Sequence, residues 1–263
     1  MSIAINQAPA TRYGLRQVMR AEAVKLATLR STLITVAITI IGSIGVTVLS
    51  SVSASHHQRG WYQGFDPTNQ SMTGLALATL AIGVLGALAA TGEYGTGTIR
   101  STLAAAPRRP LLFLGKVAVV GAFALALGEL ITFSCFWIGQ AVLGAGGAPT
   151  AALTQSGVFE AVALSGVFLG LLGLLGLGIG IVVRHTAGAI GAYVSVTFLI
   201  PLLMTQLPHH PARYTPIPLL ANSVSAVIRV PGQVAAPVGL LLMAAYSAAV
   251  LALAAVLIVR RDA

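Results

Sequence analysis

The chain has 263 residues, of which 56% are hydrophobic and only 8% charged, with a mean hydropathy of +0.90 and a formal net charge of +9. Soluble domains carry about 25% charged residues, so a water-wetted shell around a core of this size is excluded and the lipid bilayer is the solvent that fits. The positive charge does not point to nucleic acid, because the basic residues stand at the ends of apolar runs rather than along one face.

Residues 1–31 form a basic leader. Within it Leu15, Val18, Met19, Leu26 and Leu29 recur mostly at three- and four-residue steps, with Arg12, Arg16, Arg20 and Lys25 between them. Such a pattern predicts an amphipathic helix over Tyr13–Leu29, lying at the membrane surface. A solvated basic tail that only enforces topology is the plainer reading, and the apolar periodicity argues against it.

A helix needs about 20 mainly apolar residues to cross a bilayer. Six stretches within residues 32–259 qualify: Thr32–Ala54, Met72–Thr91, Val117–Ile138, Val158–Val183, Gly188–Leu207 and Pro237–Val259. They are too long, and too rich in Ala, Leu and Gly, for the alternating strands of a barrel. The expected fold is therefore an all-α membrane protein of six transmembrane helices. The end of the first run, Val52-Ser53-Ala54, looks like a leader-cleavage site, but the run exceeds the usual apolar core of a signal peptide, so a retained helix is expected.

Placing both termini in the cytoplasm, with 260–263 as a short tail, puts Arg12, Arg16, Arg20, Lys25, Arg30, Arg100, Arg108, Arg109, Lys116, Arg184, Arg260 and Arg261 inside. Outside remain Arg59, Arg213 and Arg229. The excess of inner Lys and Arg selects this orientation over its mirror image.

Two outer loops differ in kind. His56–Ser71 is polar and carries Trp61, Tyr62 and Phe65, residues suited to the interface. Pro208–Ala236 is broken by five prolines, and its apolar stretch Leu219–Val230 fits either a short helix dipping into the outer leaflet or a mobile loop.

The inner loop from Gly92 to Pro110 carries the candidate site. Its glycines let the chain leave the membrane, Thr98 is a natural N-cap, and Ile99–Ala106 are residues able to form a short helix that Pro107 would stop. Ile99, Leu103 and Ala106 share one face, which suits a groove on a soluble partner. Spacing alone does not separate that docking helix from a plain topological loop.

The order Glu93-Tyr94-x-x-Gly97-Thr98-x-Arg100-x-x-Leu103, followed by Pro107-Arg108-Arg109, resembles the loop after the second span in permeases of ABC-2 type exporters. The opening Arg20-x-Glu22-x-x-Lys25-Leu26-x-Thr28-x-Arg30-Ser31 is similar to the basic leaders of these permeases. The likeness extends over most of the chain: interfacial helix, six spans, and a broken outer segment before the last. It implies that the loop forms a cytoplasmic coupling helix, and that Glu93, Gly97, Thr98, Ile99, Arg100, Leu103, Arg108 and Arg109 dock on a separate ATPase subunit that binds ATP and Mg. It further implies a homodimer or heterodimer of permeases in the cell membrane, exporting an unidentified substrate. The apolar lining expected of the spans suits an amphiphilic or hydrophobic one.

The chain itself carries no phosphate-binding loop, since Gly115-Lys116 is followed by Val117 and lacks the upstream glycine. Leu164-Ser165-Gly166 lacks the surroundings of an intramembrane serine protease, and the six acidic residues are scattered, so neither enzyme nor metal centre is expected. Cys135 is alone and lies in an apolar run, where it acts as a small hydrophobe. His56-His57 and His209-His210 have no ligand spacing and read as loop residues. Gly166, Gly170, Gly173, Gly176 and Gly180 step along the fourth span as a smooth packing face. Glu129, inside the third span, costs about 2.5–3.5 kcal/mol to insert when charged. It is a candidate contact on a substrate path, or a packing device held protonated or bonded to a hydroxyl. A self-sufficient secondary transporter or channel, with Glu129 as its coupling-ion site, is the competing reading.

Overall fold

The computed structural model describes residues 14–56, 65–95, 97, 109–208, 211–224, 232 and 234–260. Among them all regular structure is helical: α1 (Leu15–Thr28), α2 (Arg30–His56), α3 (Pro67–Ser71), α4 (Leu75–Gly95), α5 (Arg109–Ala145), α6 (Val158–Val183), α7 (Thr186–Val194), α8 (Ile200–Met204), α9 (Pro216–Val224) and α10 (Ala236–Arg260). A π-helical turn, Ser195–Leu199, joins α7 to α8, and a 3-10 turn, Pro211–Tyr214, precedes α9. Six helices are long and apolar enough to cross a membrane: α2, α4, α5, α6, the α7–α8 unit and α10. The chain is an all-α, multi-pass membrane protein.

The crossings match the six predicted runs, but their ends move. The second helix continues to Gly95 rather than stopping at Thr91, and the third spans Arg109–Ala145 rather than Val117–Ile138. At 1.5 Å per residue the 37-residue α5 is about 55 Å long, well beyond the roughly 30 Å hydrocarbon thickness. Its polar start was hidden from a hydropathy reading because Lys116 is a charge that the fold buries. Pro110 is tolerated at its second position, where no intrahelical donor is needed. In the fifth crossing the wide turn at Ser195–Leu199 lies just before Pro201, whose nitrogen cannot donate and whose ring would strike the carbonyl four residues earlier.

The most enclosed crossing is α6, which packs against α4, α5, α7, α9 and α10. Its glycines are what allow this. A Cβ on Gly176 would fall on the Gly83 carbonyl of α4, and one on Gly180 would lie 2.7 Å from the Ala87 carbonyl. The predicted packing role of this stripe is seen directly. Tyr193 of the fifth crossing fills the notch above Gly83 and donates its hydroxyl to the Thr79 carbonyl at 2.6 Å.

Helix α2 is built the other way round from a water-soluble amphipathic helix. Its buried residues are Thr39, Ser43, Thr47 and Ser51, while Leu33, Ile34, Ile38, Ile41 and Leu49 face outward. Lipid rewards outward apolar side chains, and two of the buried hydroxyls are bonded internally: Thr39 returns its proton to the Thr35 carbonyl at 2.7 Å, and Thr47 Oγ1 accepts from Gly74 N–H at 3.2 Å.

At one end of the bundle α3 is capped by the Asp66 carboxylate, which accepts from the Thr68 and Asn69 amides. Gln140 of α5 pins it there, donating to the Pro67 carbonyl and the Ser71 hydroxyl while accepting from Ala151 N–H. The proline-rich segment yields a nine-residue helix, Pro216–Val224, earlier and shorter than the predicted Leu219–Val230, whose remaining residues lie outside those described. Leu219, Leu220 and Val224 of this helix join the main apolar core.

Candidate functional site

At the opposite end, the inner one by the distribution of basic residues, three helices bring four charges together. Helix α1 presents Glu22 and Lys25 one turn apart, α4 presents Glu93 in its last turn, and α5 presents Lys116 in its third. Lys116 Nζ lies 2.6 Å from Glu22 Oε2, 2.8 Å from Glu93 Oε1 and 3.3 Å from the Ala89 carbonyl, so its three protons are all engaged. Lys25 Nζ lies 2.9 Å from Glu22 Oε1 and 2.9 Å from Glu93 Oε1. Glu22, Lys116 and Glu93 are 4%, 5% and 9% exposed, which puts this cluster among the buried, high-stakes kind of ion pairing.

The electrostatics explain why such residues tolerate these positions. Glu93 stands at the negative end of the α4 dipole, the wrong place for a carboxylate on its own. Two lysines from other helices compensate it, and the four formal charges cancel. Burial pulls the Lys25 pKa down, but hydrogen bonds to Glu93 and Glu22 outweigh it and leave the ammonium above its ordinary value. Helix α1 seats closely here because Gly115 of α5 lies under Val18, where a Cβ would come within 2.6 Å of Val18 Cγ1. Predicted as an amphipathic helix over Tyr13–Leu29, it spans Leu15–Thr28, and the residues it buries are Val18 and Glu22. Leu15 and Leu29, of the predicted apolar strip, are exposed.

Two arginines complete the inner end. Arg184, in left-handed backbone conformation at the close of α6, stacks 5.4 Å from the Tyr94 ring centroid and donates to the Leu257 carbonyl at 3.4 Å. Arg109 donates to the Ile258 and Val259 carbonyls at 3.4 and 3.3 Å. Both cap the last turn of α10, where cations are favoured.

These contacts redistribute the predicted docking residues. Glu93 does not face outward from a loop; it is helical, buried, and held by lysines of this chain. Arg109 likewise opens α5 and reaches α10. Gly97 is exposed with φ of 71°, a left-handed conformation suited to ending α4, and its amide bonds the Tyr94 carbonyl. Thr98, Ile99, Arg100, Leu103 and Arg108 lie outside the described residues, so the predicted helix Ile99–Ala106 does too.

Beside the cluster opens a cavity of about 550 Å³ between α1, α2, α4 and α5. Glu22, Lys25, Glu93 and Lys116 line it at one level, and Ile82, Leu85, Val120, Phe123 and Leu127 line it farther in. Glu129 is not among its lining residues. The Glu129 carboxylate instead rests in the notch at Gly166 of α6, where any Cβ would collide with it. The structure gives Glu129 a packing partner but does not place it in the cavity.

In the sequence, Glu22, Lys25 and Lys116 read only as leader or topology charges. The signal available was the three-residue spacing of Glu22 and Lys25; nothing local marks Lys116 as their partner across 94 residues. No protein-family model matches the chain, and no curated protein is a significant match to it.

Proposed function

We propose that this chain is the membrane-spanning permease subunit of an ABC-2 type exporter, moving an amphiphilic or hydrophobic substrate across the cell membrane while a separate subunit hydrolyses ATP. The observation that best supports it is the four-residue charge cluster. Glu93 and Lys116 flank the inner segment 96–108 on its two sides, and both are tied to α1 through Glu22 and Lys25. A push on that segment is thereby delivered to α4, α5 and the interfacial helix together. The loop's likeness to coupling segments of such permeases, and the six crossings, point the same way. Docking on the ATPase then falls to Thr98, Ile99, Arg100, Leu103 and Arg108, with Gly97 as the pivot.

The test is co-purification with a separately encoded ATP-binding protein, comparing wild type with Arg100→Ala and Leu103→Asp. A complex that weakens in both variants supports the assignment. Transport by the purified chain in vesicles without any ATPase would overturn it in favour of a secondary transporter or channel.

A further inference from the structure

The cavity between α1, α2, α4 and α5 has dimensions that correspond to one lipid leaflet. Along α4, Ile82 and Glu93 mark its apolar and polar limits; along α5, Leu127 and Lys116 do the same. Each pair is separated by eleven residues in sequence, about 16 Å of helix at 1.5 Å per residue. Half of a roughly 30 Å hydrocarbon core is about 15 Å. Two independent helices therefore give the cavity the depth of the inner leaflet, with charge at headgroup level and apolar walls beneath the acyl region. Its volume of about 550 Å³ falls in the range of specific small-molecule sites, about 300–1,000 Å³.

The polar end has a definite charge preference. Lys116 uses all three protons internally, but Lys25 uses two of its three, on Glu22 and Glu93. Its side chain is 39% exposed and lines the cavity. Both Glu22 oxygens and Glu93 Oε1 are bonded to the lysines, and the two carboxylates are only 6% and 11% exposed, so the group offered to an incoming molecule is the ammonium. Exposed Arg20 on α1 and Arg30 at the start of α2 add to the positive field at this level.

We infer that this cavity is a binding site for an anionic glycerophospholipid of the inner leaflet, its phosphate against Lys25 and one acyl chain laid along Ile82, Leu85, Phe123 and Leu127. The site belongs to the chain alone and needs no ATPase, so it stands or falls separately from the exporter assignment.

The test places a tryptophan at Phe123 in a Trp61→Phe, Trp137→Phe background and reconstitutes the full chain in phosphatidylcholine vesicles. A minor fraction of the lipid is brominated, either as phosphatidylglycerol or as phosphatidylcholine. Brominated phosphatidylglycerol should quench about fivefold more effectively at equal mole fraction, the preference expected from one lysine near the surface. Lys25→Gln should erase that preference and Lys25→Arg should keep it. Gly92→Phe should abolish the quenching, since Gly92 lines the cavity and a side chain there meets nothing within 4 Å. Equal quenching by both lipids, or quenching that survives Gly92→Phe, overturns the site. Relief of quenching by excess inorganic phosphate in the buffer would assign the charged end to a free anion and overturn the lipid. If Lys25→Gln does not fold, the Gly92→Phe result decides alone.

Discussion

Lys116 Nζ and Glu22 Oε2 meet at 2.6 Å although 94 residues separate them in the chain. That contact locks an interfacial helix to the third membrane crossing, and both partners are almost fully removed from solvent. Removing one member of such a pair leaves the other charge buried without compensation, which costs about 3–5 kcal/mol. Lys116→Met should therefore lower the unfolding midpoint in detergent sharply. Combining it with Glu22→Gln and Glu93→Gln should recover much of the loss, because the one charge then left, on Lys25, has a side chain 39% exposed and can reach solvent. A triple variant no more stable than the single one would show that the cluster does not hold the fold in this way.

Lys25 supplies a pH signature. Its folded-state value lies above the ordinary lysine value of 10.5. A raised value means its contribution to stability is fully present below the unfolded value and is lost as pH rises through the folded one. Thermal stability in detergent should be insensitive to this group from about pH 6 to about pH 9, then fall in strong alkali. In Lys25→Gln that alkaline fall should be smaller. An unchanged alkaline profile in the variant would remove Lys25 from the account.

Hydropathy made the six crossings legible, because lipid requires runs of apolar residues whose length is set by the bilayer. The inner junction was not legible. Lys116 reads as a topology charge at a helix start, and only the tertiary approach of α1 and α4 reveals that α5 begins seven residues earlier and carries it into the interior. The orientation of α2 was written in plain view as Ser31, Thr35, Thr39, Ser43, Thr47, Ser51 and Ser55, a hydroxyl at every fourth residue. Total hydrophobicity averages that stripe away, whereas its four-residue period fixes which face turns inward. The glycine steps of α6 were readable as a packing face, but which helix they receive depends on topology and could not be read from their spacing.

The α4–α6 contact gives a paired test. A Cβ on Gly176 would meet the Gly83 carbonyl, which is backbone and cannot swing aside. Forcing extra volume into a packed interface costs about 1–3 kcal/mol, so Gly176→Ala should destabilise by that order or more. Gly45→Ala, where nothing lies within 4 Å, should be neutral or slightly stabilising through its higher helix propensity. Equal effects at the two positions, measured by denaturant unfolding in micelles, would contradict the close approach.

Gln140 makes a second, separable prediction at the far end of the bundle. Gln140→Leu removes one acceptor and two donor contacts, stranding Ala151 N–H and leaving the Pro67 carbonyl and the Ser71 hydroxyl only their bond to each other. Leaving buried groups unpaired costs about 1–3 kcal/mol each at most. Proteolysis or hydrogen exchange should show α3 and the segment around Ala151 opening first, with the inner cluster unaffected. Opening at both ends together would mean that the bundle responds as one unit.

The last prediction separates the two roles that sequence order had merged at the inner loop. Glu93 accepts from Lys25 and Lys116 within this chain, whereas Arg100 belongs to the residues proposed to meet the ATPase. Glu93→Gln keeps the side-chain shape and removes the charge, so it should weaken the fold before it weakens any partnership. The unfolding midpoint should drop, and capture of the ATP-binding protein should fall only in proportion to the folded fraction. Arg100→Ala should do the reverse, leaving the unfolding midpoint close to that of wild type while capture drops. Size-exclusion and melting measurements on the same preparations distinguish them. If Glu93→Gln retains full stability yet loses the partner, its carboxylate serves the docking surface after all, and the mechanical reading of the charge cluster fails.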